Sequence, residues 1–243
     1  MLLREFILKL SLCSCLSRRI KYRLLLAAIQ QKQITNLAKL TDHLNITFNK
    51  RMQWFDEWSS QELRRQTEQN LPMPFITPLD AIYPQRLREI YDPPLVLYYH
   101  GNLKLLQSPC LAVVGSRNIT KYGERVINQL LPGVVSSQVA QSGLLLTEYP
   151  LATTPYPSNF PERNRIIAGL CHACLVVEGS RRSGSLITAN LALQDNRNVG
   201  AVPGPIDSPM SLGANELIAA GARPILSSQD ILEELPDWLF SAK

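Results

Sequence analysis

Two arginines stand at the start of a predicted helix, where they suit the binding of a phosphate group. Arg163 and Arg165 follow Pro161, which fits a first helical turn because its missing N–H has no partner there. The first turn of a helix exposes unbonded N–H groups, and a guanidinium matches phosphate oxygens two at a time. Glu162 and Arg165 also have the spacing of an ordinary surface ion pair, so a solvated helix end is the alternative.

A second predicted helix carries arginines just before its start. Arg181 and Arg182 precede a hydroxyl cap formed by Ser183, Gly184 and Ser185. Apolar residues recur at helical spacing after this cap, which predicts the helix. This start is therefore a second candidate phosphate site.

A third candidate anion site is a turn that ends a predicted strand, Leu111–Gly115. In Gly115-Ser116-Arg117, backbone N–H groups, the Ser116 hydroxyl and the Arg117 guanidinium can converge on one anion. The alternative is an ordinary strand-to-helix turn, which needs a glycine for steric reasons alone.

Short apolar runs around these helices predict buried strands. Three stand at Leu144–Thr147, Cys174–Val177 and Val199–Val202, and each ends at Glu, Gly or Pro. Strands that alternate with helices in this way predict a parallel sheet with crossover helices. We therefore predict an α/β fold.

Several longer motifs identify the family that this chain resembles. FPERNRIIAGL, VVEG followed by SGSLITA, and AVPG are similar to the signature of the DNA-processing protein DprA (Smf) family, and LAVVGSRNITKYGERV and GANELIAAGA match it too. The motifs occur in the family's order over roughly residues 70–230. The resemblance implies a Rossmann-like, mostly parallel sheet. It also implies a non-enzymatic protein that binds single-stranded DNA and loads a RecA-type recombinase during natural transformation.

The resemblance further implies a DNA site and an assembly. In the family the GSR turn contributes to a basic pocket for single-stranded DNA, so Arg117 is the first candidate. The other candidate residues are Gly115, Ser116, Arg163, Asn164, Arg165, Ser183, Gly184 and Ser185. We expect a homodimer through the C-terminal part of the sheet domain, and no catalytic residue, metal or cofactor.

The chain departs from the family after the predicted helix Tyr122–Leu131. A family member would continue with about two βα units of roughly 30 residues each, but this sequence reaches TEYP through a splice near Ala140–Gly143. Two central strands are therefore predicted to be missing, which would expose apolar surface or force strands to pair anew. The chain is either a degenerate, internally deleted copy or a genuine shortened variant.

One alternative function is a nucleotide-processing enzyme of the lysine-decarboxylase-like type, which shares the sheet. Glu148 and Glu178 lie at predicted strand ends, where paired carboxylates could do acid–base work, although such acids also serve as structural caps. That enzyme type typically carries a PGGxGT turn, whereas Ser183–Thr188 stands in its place here. The pattern favours the DNA-binding function.

The cysteines and the hydropathy of the chain argue against a metal site, a disulfide framework and a membrane span. Cys171 and Cys174 form a lone CxxC with no second pair at zinc spacing, so Cys174 is predicted to pack in a core. The odd number of five cysteines and the absence of a signal peptide predict a cytoplasmic protein. No segment approaches the roughly 20 apolar residues that a membrane span needs.

The predicted domains are a small helical domain at 1–70 of the SAM or helix-hairpin-helix type, the Rossmann-like domain at 71–235 and a short tail at 236–243. The net charge is +5, and residues 1–70 hold 12 Lys and Arg against 6 Asp and Glu, which favours a polyanionic partner. The family's hairpin glycine is doubtful here, because no glycine precedes Gly101.

Three further predictions concern single segments. Trp54, Phe55 and Trp58 are predicted to be core residues. Residues 34–46 predict either a helix-turn-helix or a plain pair of packed helices. Leu95–Gly101 predicts an edge strand added to the main sheet.

Overall fold

The computed structural model of the chain describes residues 2–30, 37–41, 44, 46–131, 143–150, 153–154 and 156–234. Two compact units divide the chain: the first comprises Met1–Leu103 with Leu144–Thr154, and the second comprises Lys104–Gly143 with Pro155–Lys243. The domain bounds of 1–70 and 71–235 stay a prediction from the sequence. The predicted splice at 140–143 and tail at 236–243 fall almost wholly outside the described residues.

The described elements follow one another as helices, then strands alternating with helices. The helices are α1 (Leu3–Leu12), α2 (Arg18–Gln30), α3 (Leu37–Thr41), α4 (Phe48–Ser59), α5 (Gln61–Asn70), α6 (Gln85–Arg88), α7 (Lys121–Leu130), α8 (Asn159–Leu170), α9 (Gly184–Gln194), α10 (Leu212–Ala219) and α11 (Ser228–Glu234), with a 3₁₀ helix at Leu103–Gln107. The strands are β1 (Phe75–Ile76), β2 (Leu97–Gly101), β3 (Leu111–Val114), β4 (Leu144–Thr147), β5 (Ala173–Val176), β6 (Asn198–Ala201) and β7 (Arg223–Pro224).

The first unit is built on an aromatic core under helices α1 to α5. The ring of Trp58 lies 5.3 Å from that of Phe6 and 5.6 Å from that of Trp54, centroid to centroid. Trp54 and Trp58 are buried, and Phe55 is partly buried against the same cluster, so the prediction of core residues is confirmed. The predicted packed helices at 34–46 lie partly outside the described residues.

The first unit also holds a small antiparallel sheet with the strand order β1-β2-β4. Tyr98 of β2 pairs with Thr147 of β4. Two predictions are therefore wrong: Leu144–Thr147 does not join the parallel sheet, and Leu95–Gly101 does not add an edge to it. The physical reason is that half-buried residues alternate with exposed ones along β4, and Leu145 is 68% exposed. One-sided burial suits an antiparallel sheet with a solvated face rather than a parallel strand covered on both faces.

The second unit is the predicted α/β domain. Its four strands are all parallel and lie in the order β3-β5-β6-β7. Every residue of β5 is buried, because one apolar cluster covers each face of the sheet. β3 is the end strand of the described sheet and pairs with β5 on one side.

Candidate nucleic-acid interface

A cavity of about 540 Å³ opens at the carboxyl end of β3, between α8 and the start of α9. Carboxyl ends of parallel strands are where α/β folds place their ligands. Eight of the nine candidate residues line the cavity: Gly115, Ser116, Arg117, Arg163, Asn164, Ser183, Gly184 and Ser185. None of the described residues that line it is acidic.

Arg165 is the candidate residue that does not line the cavity. It is half-buried on α8, whereas Arg163 is exposed in the cavity wall. Residues two apart on a helix point about 200° away from each other, since each residue turns the helix by about 100°. Helical spacing therefore separates these two arginines, although the sequence prediction had placed both in one site.

Arg181 and Arg182 also lie outside the cavity lining. Arg181 is exposed and forms an ion pair with Glu216, and Arg182 is exposed. The basic character of the cavity thus comes from Arg117 and Arg163 and not from the pair that precedes α9.

The turn after β3 is held by its own hydroxyl group. Ser116 Oγ donates to the carbonyl oxygen of Asn118 at 3.0 Å and accepts from Asn118 N at 3.2 Å. The Ser116 side chain therefore stabilises the turn. The adjacent Arg117 is exposed and extends into the cavity.

Phe160 lines the cavity and was not among the residues predicted from the sequence. Its ring is 37% exposed, lines the cavity and lies under two guanidinium groups. The central guanidinium carbon of Arg117 is 4.4 Å from the ring centroid, and that of Arg163 is 5.6 Å away. The available signal was an aromatic residue directly before Pro161 in an arginine-rich helix start. Cation–π contacts of this kind fix the arginines beside an aromatic surface.

The start of α9 forms the opposite wall. Ser183 occupies the N-cap position without a side-chain capping bond, and Ser183 Oγ lies 2.6 Å from Ser185 Oγ. Asn164 Nδ2 donates to the carbonyl oxygen of Gly184 at 3.3 Å and so ties α8 to α9. A Cβ atom at Gly184 would meet nothing within 4 Å, which shows that the first turn of α9 faces open space. That turn can present N–H groups to an anion.

The two strand-end carboxylates belong to different units. Glu178 is 3% exposed and accepts from Thr120 N at 3.0 Å and from Thr120 Oγ1 at 2.6 Å, so it fixes the start of α7. Glu148 belongs to the first unit, where its carboxylate is 3.7 Å from Arg18 Nε. Each carboxylate thus has a structural partner of its own.

The CxxC pair packs in the core of the second unit, as predicted. Burial raises the pKa of the Cys171 thiol to about 11 and that of Cys174 to about 12. His172 accepts from Cys110 N at Nδ1, 3.1 Å away, and so extends the pairing of β3 with β5. The described residues contain no cluster of three metal-ligating side chains. In that same part of the chain, no helix is long and apolar enough to span a membrane.

The fold and the cavity define a class: a Rossmann-like α/β domain with an arginine-lined, aromatic-bearing cavity at the carboxyl end of its first strand. The model of the family described as DNA recombination-mediator protein A matches residues 74–140 and 134–236. The chain belongs to this family, the DprA/Smf proteins.

Individual relatives agree with this assignment. The DNA processing protein DprA of Streptococcus pneumoniae is 36% identical over 208 residues, covering 66% of this chain and 74% of the relative, and that of Bacillus subtilis is 36% identical over 204 residues, covering 64% and 69%. The X-ray structure of the S. pneumoniae protein superposes with a TM-score of 0.81 at 28% identity, over 97% of this chain and 99% of that one. The Helicobacter pylori DNA processing protein A, studied for its single-stranded DNA binding mode, shares the fold with a TM-score of 0.55 at 24% identity, over 66% of this chain and 95% of that one.

Proposed function

We propose that this chain binds single-stranded DNA in the cavity of its second unit as a recombination mediator. The observation that carries the proposal is the exposed Phe160, whose ring both Arg117 and Arg163 contact. Proteins that bind single strands combine cationic groups for the phosphates with aromatic rings on which bases stack. The absence of acidic side chains among the described lining residues removes the main source of repulsion.

Each wall of the cavity has a separate task in this proposal. The two guanidiniums and the first turn of α9 bind phosphate oxygens. Phe160 stacks one base, which requires that base to be free of a partner strand and favours single strands over duplex. Backbone contacts and stacking tolerate every base, so we expect no sequence preference.

The test is a fluorescence anisotropy titration of the full chain with a labelled oligothymidylate at several salt concentrations. Arg117→Ala should weaken binding by about 1–3 kcal/mol, the range for a hydrogen bond to a charged group. It should also reduce the slope of log K against log salt by about 0.7, because one phosphate contact is lost. Arg182→Ala is the matched control, since it removes an exposed arginine outside the cavity lining. Equal effects of the two substitutions would contradict the assignment.

The partners and location are finer parts of the same proposal. We infer a cytoplasmic protein that loads a RecA-type recombinase on the bound strand and forms a homodimer through the C-terminal part of the second unit. Residues 183–243 hold 3 basic against 7 acidic residues, so this end suits a protein partner better than DNA. Light scattering on a size-exclusion column should give twice the chain mass of 27.3 kDa. A monomer peak would contradict the dimer.

We also propose that about two βα units are missing between α7 and β4. The family model matches in two pieces that meet at residues 134–140. The alignment with the S. pneumoniae relative extends over 208 positions but uses only 66% of this 243-residue chain, so the relative has residues with no counterpart here. A cooperative urea transition with an m-value fitting a domain of this size would show that the chain tolerates the gap.

No observation favours the alternative of a nucleotide-processing enzyme. The carboxylate nearest in sequence to the start of α9 is Glu178, and both of its oxygens accept from Thr120. Release of free base from nucleoside monophosphates above background would overturn the non-enzymatic assignment.

A further inference from the structure

The outer edge of β3 has backbone groups that point away from the rest of the sheet. Val114 faces β5, because its carbonyl oxygen accepts from Val177 N at 3.0 Å. Successive residues of a strand direct their N–H and C=O groups to alternate sides, so those of Leu111 and Val113 point to the other edge. No strand of the described residues pairs there, and the side chain of Val113 is 38% exposed although it belongs to a central apolar run.

The cavity reaches this open edge. Val113 and Val114 both line it, and adjacent residues of a strand face opposite sides of a sheet. Arg117 and Arg163 line the same cavity at the carboxyl end of β3. A ligand bound along the edge of β3 would therefore lie close to two positive charges.

The N–H and C=O groups on the outer edge of β3 favour a polypeptide as the ligand. An open strand edge offers donors and acceptors in alternation, and a polypeptide backbone supplies both in return. The sugar–phosphate backbone of DNA carries acceptors only, which would leave the carbonyl groups of Leu111 and Val113 without donors. A second copy pairing through the same edge about a twofold axis would run antiparallel and bring its residues 104–110 towards Arg117. Those residues include Lys104 and no carboxylate, so a second copy would leave the two guanidinium groups without an anionic partner.

We propose that the edge of β3 takes up an extended acidic peptide segment of another protein as an added strand. The peptide backbone bonds to Leu111 and Val113, an apolar side chain packs on Val113, and carboxylates of the peptide reach Arg117 and Arg163. This site goes beyond the proposed DNA site and shares only the two arginines with it. Bound peptide and bound DNA therefore exclude each other at Arg117.

The first test uses short synthetic peptides and the unaltered full chain. The probe alternates Thr and Val between pairs of Asp, and a charge-reversed control has Lys in place of Asp. N-methyl groups are placed at alternate peptide positions in two series. One series should weaken binding by about twofold to tenfold per group, because each group removes one hydrogen bond to β3, and the other series should have little effect. Equal effects of both series, tighter binding of the Lys peptide or no saturable binding would overturn the proposal.

The second test changes the edge itself. Val113→Pro removes an N–H that points outwards and spares the bonds to β5, and proline is tolerated on edge strands for that reason. We expect peptide affinity to fall by about twofold to tenfold, and Arg182→Ala to leave it unchanged. If Val113→Pro fails to fold, the difference in affinity between the two N-methylated peptide series still tests the proposal, because those titrations use the unaltered protein. A concentration-dependent doubling of mass that Val113→Pro abolishes would assign the edge to a second copy and overturn the proposal.

Discussion

Removing the ring of Phe160 separates stacking from charge in the proposed DNA site. Phe160→Ala deletes the ring that Arg117 and Arg163 both contact without changing the number of charges. Base–aromatic stacking contributes about 1–3 kcal/mol per base, so we expect the dissociation constant for a single strand to rise between about fivefold and 150-fold. The slope of log K against log salt should stay the same, because no phosphate contact is lost.

The stability cost of the same substitution should be small. Phe160 is 37% exposed, and its cation–π contacts at an exposed site are worth about 0.5–1 kcal/mol. Urea unfolding therefore serves as a check that a loss of binding does not come from a loss of fold. Two matched controls accompany it: Phe160→Tyr keeps the ring, and Tyr156→Ala removes an exposed ring outside the cavity lining.

The assay is the anisotropy titration with oligothymidylate at increasing salt. Unchanged affinity of Phe160→Ala would refute the stacking role. A loss of salt dependence as large as that of Arg117→Ala would mean that the ring acts only by positioning the arginines. A loss of affinity in Tyr156→Ala as large as in Phe160→Ala would show that the cavity is not the binding site.

Three further predictions concern stability. Glu178→Ala should lower the free energy of unfolding by about 1.5–3 kcal/mol, because Thr120 loses a buried charged acceptor; urea unfolding checks this, and an unchanged midpoint would contradict it. Gly213→Ala should destabilise by about 1–3 kcal/mol, since its Cβ would lie 2.6 Å from the Gly179 carbonyl oxygen; an equally stable variant in the same assay would be the opposing result. The folded pKa of about 12 for Cys174 lies above its ordinary value of 9.0. Between these values the unfolded thiol has lost its proton and the folded one has not, so stability should fall as the pH rises. Cys174→Ala should flatten that fall between about pH 9 and about pH 12, and an unchanged slope would count against the assignment.

Local signals predicted the elements that build the cavity. The hydroxyl cap before Gly184 and the proline at position 161 each mark a helix start, and α9 and α8 begin within two residues of the predicted positions. The strands β5 and β6 lie within one residue of the predicted runs. Each of these signals depends on residues close together in the chain, which is why the sequence alone was sufficient.

Long-range contacts account for what was not predicted. The apolar run of β4 predicts a strand but not its partner, and the choice of β2 is visible only in the one-sided burial around Leu145. Phe160 looks like an ordinary core aromatic in the sequence, because its role depends on Arg117, which comes from another element. The separation of Arg163 from Arg165 could have been predicted, since helical geometry alone decides it.

The walls of the cavity do not depend on the strands proposed to be missing. β3 is held by β5 along its whole length, and α8 packs closely on α9, where Asn164 bonds to the carbonyl group of Gly184. The proposed gap leaves these contacts in place. We expect the gap to lower the free energy of unfolding, because apolar side chains such as Val113 stay exposed. The arrangement of Arg117, Phe160 and Arg163 persists, because it depends on contacts that the proposed gap does not touch.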